Sequence, residues 1–209
     1  MMSSLASELE TGLQALQVSL STAQIDLLQQ YLSLLNKWNH TYNLTAVREA
    51  ERMVAYHVLD SLAALPHVVG GRVLDVGSGG GMPGIPFAVA QPDWAITLLD
   101  ANHKKTTFLR QAVIELGLPN VEVVCERAEA FTATPLFDVI TSRAFADLAE
   151  FVRLTRHVLR EGGVWAALKG VYPYEEIALL PKDVTVVSVT ALHVPGLDAE
   201  RHLVVLARC

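Results

Sequence analysis

The sequence predicts an open, doubly wound α/β protein: a seven-stranded, mostly parallel sheet with an antiparallel last strand, preceded by a helical extension. Three observations carry the prediction. Arg72-Val73-Leu74-Asp75-Val76 is an apolar run that enters Gly77-Ser78-Gly79-Gly80-Gly81-Met82-Pro83-Gly84, a strand leading into a glycine-rich turn. From there short β-rich runs alternate with helical stretches, the pattern of βαβ units and parallel pairing. Between the last two runs lies no convincing helix, only Val194-Pro195-Gly196-Leu197-Asp198, so the final strand inserts against the direction of the others.

Each element has its own signal. Ser21-Thr22-Ala23-Gln24 opens a helix with Ile25, Leu28, Leu32, Leu35 and Trp38 at helical spacing; Ser21 caps it and Gln24 closes a capping box. Trp38 continues that apolar stripe and reads as core. A polar and aromatic connection, 36–45, leads to a second helical stretch at about 49–65 that stops at Pro66. Strands are expected at 73–76, 95–99, 121–125, 137–141, 164–168, 184–189 and 202–207, with helices near 86–90, 103–116, 146–159 and 174–180. The organisation is therefore 1–66 as a helical extension and 67–209 as the sheet domain, one compact unit.

With 209 residues, 51% of them hydrophobic, the chain can fill one core with a terminal addition. No apolar run approaches the ~20 residues of a membrane span, and 1–12 carries acids where a secretory leader is basic and then apolar, so the expected location is the cytoplasm. Cys125 and Cys209 form no CxxC; neither a disulfide framework nor a metal site is expected, and Cys125 reads as buried. The net charge of −6 argues against nonspecific capture of naked nucleic acid. A local basic face is still open to Lys104, Lys105 and Arg110, to Arg153, Arg156 and Arg160, or to Arg201 and His202.

The turn selects among nucleotide cofactors. A dinucleotide fingerprint needs glycine at its first, third and sixth positions, here Gly77, Gly79 and Met82, and Met82 breaks it. The glycines instead form a D-x-G-x-G-x-G pattern from Asp75. Asp100 ends the second strand, where a carboxylate can accept from ribose hydroxyls; otherwise it is a helix cap. The turn after the third strand, Cys125-Glu126-Arg127-Ala128-Glu129, faces the same edge.

That glycine spacing resembles motif I of class I, Rossmann-like, S-adenosylmethionine-dependent methyltransferases. With its flanks the chain resembles the bacterial RsmG (GidB) family: Leu35-Asn36-Lys37-Trp38-Asn39, Tyr42-Asn43-Leu44-Thr45, His57-Val58-Leu59-Asp60-Ser61, Gly81-Met82-Pro83-Gly84-Ile85-Pro86, Ser142-Arg143-Ala144-Phe145-Ala146, Ala167-Leu168-Lys169-Gly170 and Glu200-Arg201-His202-Leu203. The resemblance implies methylation of guanine N7 at position 527 of 16S ribosomal RNA, in the 530 loop of the small ribosomal subunit. It also implies cofactor contacts at Gly77, the Met82 backbone, Ala128, Glu129 and Arg143, to which the spacing adds Gly79 and Asp100.

Guanine N7 carries an available lone pair, so its methylation needs no general base. Catalysis then rests on positioning and electrostatics. Arg143, at the end of the fourth strand, is the leading positioning residue; its structural alternative is an ion pair with Asp147 or Glu150. Asn39, Asn43, Lys169 and Arg201 are candidate RNA contacts, the two asparagines for a base lifted from its stack. His57 is expected to pair with Asp60 or Asp75. The competing functions are a small-molecule methyltransferase and a non-catalytic cofactor sensor. A monomer is the simplest expectation, and the acidity favours RNA held in the small subunit or an assembly intermediate over capture of free RNA.

Overall fold

The structure, a computed structural model, describes residues 2–209. Its seven strands are β1 (Arg72–Val76), β2 (Ala95–Leu99), β3 (Val121–Val124), β4 (Phe137–Arg143), β5 (Leu159–Lys169), β6 (Val184–Ala191) and β7 (His202–Arg208), in the order β3-β2-β1-β4-β5-β7-β6. Neighbours from β3 to β5 are parallel, and β7 runs antiparallel to both β5 and β6. The expected reversal is thus present. Val73 and Leu74 show why β1 is central: both are fully buried, and they join different apolar clusters on opposite faces of the sheet.

One face is covered by α1 (Met2–Ala15), α2 (Thr22–Tyr42), α4 (Asp60–Ala64), α5 (Gly84–Ala90) and α6 (His103–Leu116). The other carries α7 (Leu148–Thr155), with Ile177 of the short α8 (Tyr174–Ala178) and the turn containing Ala128 and Phe131. The capping box forms as expected: Ser21 Oγ accepts from the Gln24 amide at 3.3 Å, and Gln24 Oε1 accepts from the Ser21 amide at 2.8 Å. Gln24 Nε2 also donates to the Val89 and Ala90 carbonyls, tying α2 to the last turn of α5. Trp38 packs against the core beside Phe108, with ring centroids 5.6 Å apart.

Several expectations need correction. Helix α1 was not foreseen, although Leu9 and Leu13 are buried. The stretch expected at 49–65 is composite: α3 (Ala50–Met53), a π-helical segment (Val54–Leu59), α4, and a 3₁₀ turn (Leu65–His67). Strand β5 begins at Leu159, because Leu159 pairs with Phe137 before an irregularity that accommodates the polar, glycine-bearing run 160–163. Cys125 is half-buried and Cys209 exposed. Among the described residues no helix is long and apolar enough to cross a membrane.

Candidate active site

The carboxyl ends of β3, β2, β1 and β4 lie side by side on one sheet edge, which collects the glycine turn, Asp100, the Ala128 turn and Arg143. Gly77 and Gly79 have φ of +68° and +56°, conformations that glycine adopts without a steric penalty. A Cβ on Gly77 would lie 2.5 Å from Phe145, whereas the same position on Gly79 meets nothing nearer than the Gly77 carbonyl at 3.7 Å. Gly79 therefore presents bare backbone to open space. The turn is held from both sides: Tyr31 donates its hydroxyl to the Gly80 carbonyl at 2.6 Å, and Asp100 Oδ2 accepts from the Gly79 amide at 2.9 Å.

Asp100 is buried, and Oδ1 accepts from the Asn102 amide at 2.8 Å. Each carboxylate oxygen still has a second lone pair for a hydroxyl donor. Asn102, rather than Asp100, caps α6 by accepting from Lys104 and Lys105. Ala128 is buried beside the edge, while Glu129 is exposed and pairs loosely with Arg127 at 4.0 Å. An accessible glycine backbone, a carboxylate with spare acceptor capacity and a small buried residue fit a ligand that joins an amino-acid tail, a sugar and a base.

Asp75, behind the turn, is wholly buried. Oδ2 accepts from the Gly84 amide at 3.0 Å, while Oδ1 has no partner. Burial pushes its pKa up to about 7. The unfolded chain releases this proton near pH ~4 and the folded chain near 7, so between those values the folded state holds the extra proton and loses stability as pH rises. Asp75→Asn is expected to remove this falling limb. In urea unfolding, the stability difference between variant and wild type should grow by up to about 1.4 kcal/mol per pH unit between 4 and 7, then level off. Parallel pH profiles would show that Asp75 keeps its charge when buried.

Beyond the turn lies a cavity of about 390 Å³ between the π segment, the ends of β4 and β5, and the start of β7. Arg143 forms its central wall. Nη1 donates to the Tyr56 carbonyl at 2.8 Å and to Asp60 Oδ2 at 2.9 Å; Nη2 contacts Met82 Sδ at 3.0 Å and His57 Nδ1 at 3.5 Å. Arg201 Nε donates to the other oxygen of Asp60 at 2.9 Å. One almost fully buried carboxylate thus joins α4, the end of β4 and the residue that leads into β7. The π segment aims the Tyr56 carbonyl and the His57 ring into this cluster, a common use of such helical irregularities. Ala144, directly after Arg143, has φ of +54°, a strained conformation for a residue with a side chain.

His57 departs from expectation. Its nitrogens face Thr45 Oγ1 at 3.0 Å and Arg143, rather than Asp60 or Asp75. Burial and the adjacent guanidinium lower its pKa to about 4, which keeps the ring neutral. The structural alternative for Arg143 is corrected too: Asp147 caps α7 and Glu150 pairs with Arg153, so neither holds it.

The remaining predicted residues separate. Lys169 lines the cavity but gives its ammonium to the Ala146 carbonyl and Glu176. Asn39 is buried with its amide bonded to the Val47 carbonyl and the Thr45 amide, so it braces the following loop and is not presented to a base. Asn43 is exposed in a left-handed C-cap and accepts from Arg48. Met82 is buried; its backbone amide donates to the Ser78 carbonyl. Arg153, Arg156 and Arg160 each pair with a carboxylate and offer no free basic face. Asp60 was missed as an organiser of the site. The available signal was a single acid inside the apolar run Val58-Leu59-Asp60-Ser61-Leu62-Ala63, a position that demands a cation.

This strand order, with β7 reversed between β5 and β6, is the class I S-adenosylmethionine-dependent methyltransferase fold. Among solved structures the chain is similar to a SAM-dependent methyltransferase from Aquifex aeolicus, with a TM-score of 0.59 and 17% identity over 84% of this chain and 97% of that one, a likeness of fold. The sequence is more specific. It is 73% identical over 202 residues to the Ribosomal RNA small subunit methyltransferase G of Laribacter hongkongensis, covering 97% of this chain and 98% of the relative. It is 64% identical over 198 residues to the protein of that name from Chromobacterium violaceum, covering 94% and 95%. The GidB profile, rRNA small subunit methyltransferase G, matches residues 24–204, and the chain belongs to that family.

Proposed function

We propose that this enzyme methylates N7 of guanine 527, in the 530 loop of 16S ribosomal RNA, by direct transfer without a general base. One observation carries the reading: among the described residues, no strong base lining the 390 Å³ cavity is free to take a proton. Asp60 is held by two arginines, Lys169 is ion-paired, and His57 is neutral, weakly basic and engaged through both nitrogens. Such a site suits an acceptor nitrogen that already has its lone pair, as guanine N7 does.

When bound, S-adenosylmethionine supplies an electrophilic methyl group on a sulfonium. The Gly77 and Gly79 backbone and the Met82–Arg143 contact would border its amino-acid end, Asp100 would accept from its ribose, and Ala128 and Glu129 would border its base. Arg143 and Arg201 form the acceptor side of the cavity, where guanidinium groups can donate to guanine O6 or to phosphate. Arg143 beside N7 would oppose the positive charge that methylation creates, so its contribution is alignment. The Asp60 pairing offsets part of that repulsion. The enzyme acts in the cytoplasm as a monomer on RNA shaped by the small subunit or by an assembly intermediate.

Tritiated-methyl transfer into small subunits lacking this modification, followed by mapping of the labelled base, tests the proposal. Label is expected on N7 of one guanine in the 530 loop. Label on another atom or nucleotide would overturn the assignment, and equal turnover on protein-free 16S RNA would overturn the preference for assembled substrate.

A further inference from the structure

A second concavity, an open groove of about 1040 Å³, adjoins the acceptor cavity. The two share Arg201, and the chain passes from one to the other between Gly170 and Val171. Its wall is aromatic. The rings of Tyr172 and Tyr174 lie 4.2 Å apart at 33°, and the Tyr172 ring meets that of His202 edge-on at 5.6 Å. The platform is anchored: His202 Nδ1 contacts the Gly170 carbonyl at 2.8 Å, the Tyr174 amide donates to the Tyr172 carbonyl, and His202 pairs in register with Lys169. Tyr174 is nevertheless 74% exposed. The two rings are tilted against each other, and the Tyr174 ring is left in solvent, where a flat ring can cover it.

Charge narrows the occupant. Asp198 and Glu200 outnumber Arg201 in this groove, so it has no cationic excess with which to capture phosphates. Stacking requires none. Every unpaired nucleobase has a face that can cover a tyrosine, and sequence-tolerant stacking of this kind is how proteins hold single-stranded RNA.

We propose that Tyr172 and Tyr174 form a stacking subsite for unpaired small-subunit RNA nucleotides flanking the methyl acceptor. The proposal rests on RNA as the acceptor and deepens that reading. The subsite holds the strand beside the cavity while the target base occupies it.

The test uses full-length enzyme and small subunits that lack the modification. Tyr174→Ala is expected to raise the KM for subunits roughly tenfold, within the range of one lost base stack, while kcat and cofactor affinity stay near wild type; Tyr174→Trp should restore the KM. Because Tyr174 is largely exposed, its replacement spares the core. A photoreactive benzophenone amino acid at position 174 should crosslink to 16S RNA near the methylated guanine. A KM within twofold of wild type for Tyr174→Ala, a loss that Trp does not restore, or a crosslink to a ribosomal protein would each overturn the subsite. Should wild type label a different nucleotide, the guanine assignment falls while the Tyr174 comparison still decides this proposal.

Discussion

Asp60→Ala is expected to lower kcat/KM by two orders of magnitude or more while leaving the chain folded at moderate temperature. Asp60 is the counterion of both Arg143 and Arg201, one on each oxygen, at 2.9 Å. Without it two guanidiniums face each other across the cavity wall and move apart. Removing one partner from a buried ion pair costs about 3–5 kcal/mol. Here Arg143 and Arg201 retain side-chain exposures of 20% and 22%, so partial rehydration reduces that to about 2–3 kcal/mol, or a Tm fall on the order of 5–10 °C. The activity loss should exceed the stability loss in consequence, because a displacement of about 1 Å in a positioning group can cost a hundredfold in rate. Asp60→Asn, which preserves volume and removes the charge, should keep more stability and show most of the catalytic defect. A cycle with Arg201→Ala should be strongly non-additive. If Asp60→Ala turned over within threefold of wild type below its Tm, the carboxylate would be a structural tie alone.

This pairing also marks where sequence reasoning stops. Residues 60, 143 and 201 belong to three segments, each containing a recognisable run, yet only the sheet order brings β7 beside β5 and both beside the helical extension. The strands were legible because Val73, Leu74, Ile96, Leu98 and their counterparts form short apolar runs bounded by turn residues. The reversal of β7 was legible for a topological reason: a short Pro-Gly connection cannot make a parallel crossover. The π segment was not, since Val54–Leu59 has the composition of an ordinary buried helix, and the Tyr56 carbonyl it turns toward Arg143 leaves no mark in the local sequence. Local signals likewise cannot say whether an amide faces inward. Asn39 has the residue type of a base contact, but it is buried under the loop it braces. At the glycine turn the residue types were informative because the constraint is local: positive φ at Gly77 and Gly79 follows from the turn itself.

Asp100→Ala is expected to weaken S-adenosylmethionine binding about a hundredfold, the largest effect on affinity from any single side chain at the nucleotide edge. Two contributions add. The proposed ribose contacts are hydrogen bonds to a carboxylate, worth about 1.5–3 kcal/mol each. The side chain also fixes the ligand's other support, because Oδ2 accepts from the Gly79 amide and Oδ1 from the Asn102 amide, which orders the glycine turn and the entry to α6 together. Asp100→Asn separates the two. Its remaining carbonyl oxygen can accept from one backbone amide, so the turn stays largely in place while one charged acceptor site is lost, and affinity should fall about tenfold. Calorimetric titration with S-adenosylhomocysteine reads both without turnover. An unchanged Kd in Asp100→Ala would remove the ribose role and leave Asp100 as the internal brace of the turn. A Kd raised equally by Ala and Asn would show that both carboxylate oxygens are needed and that the single acceptor kept by Asn preserves nothing.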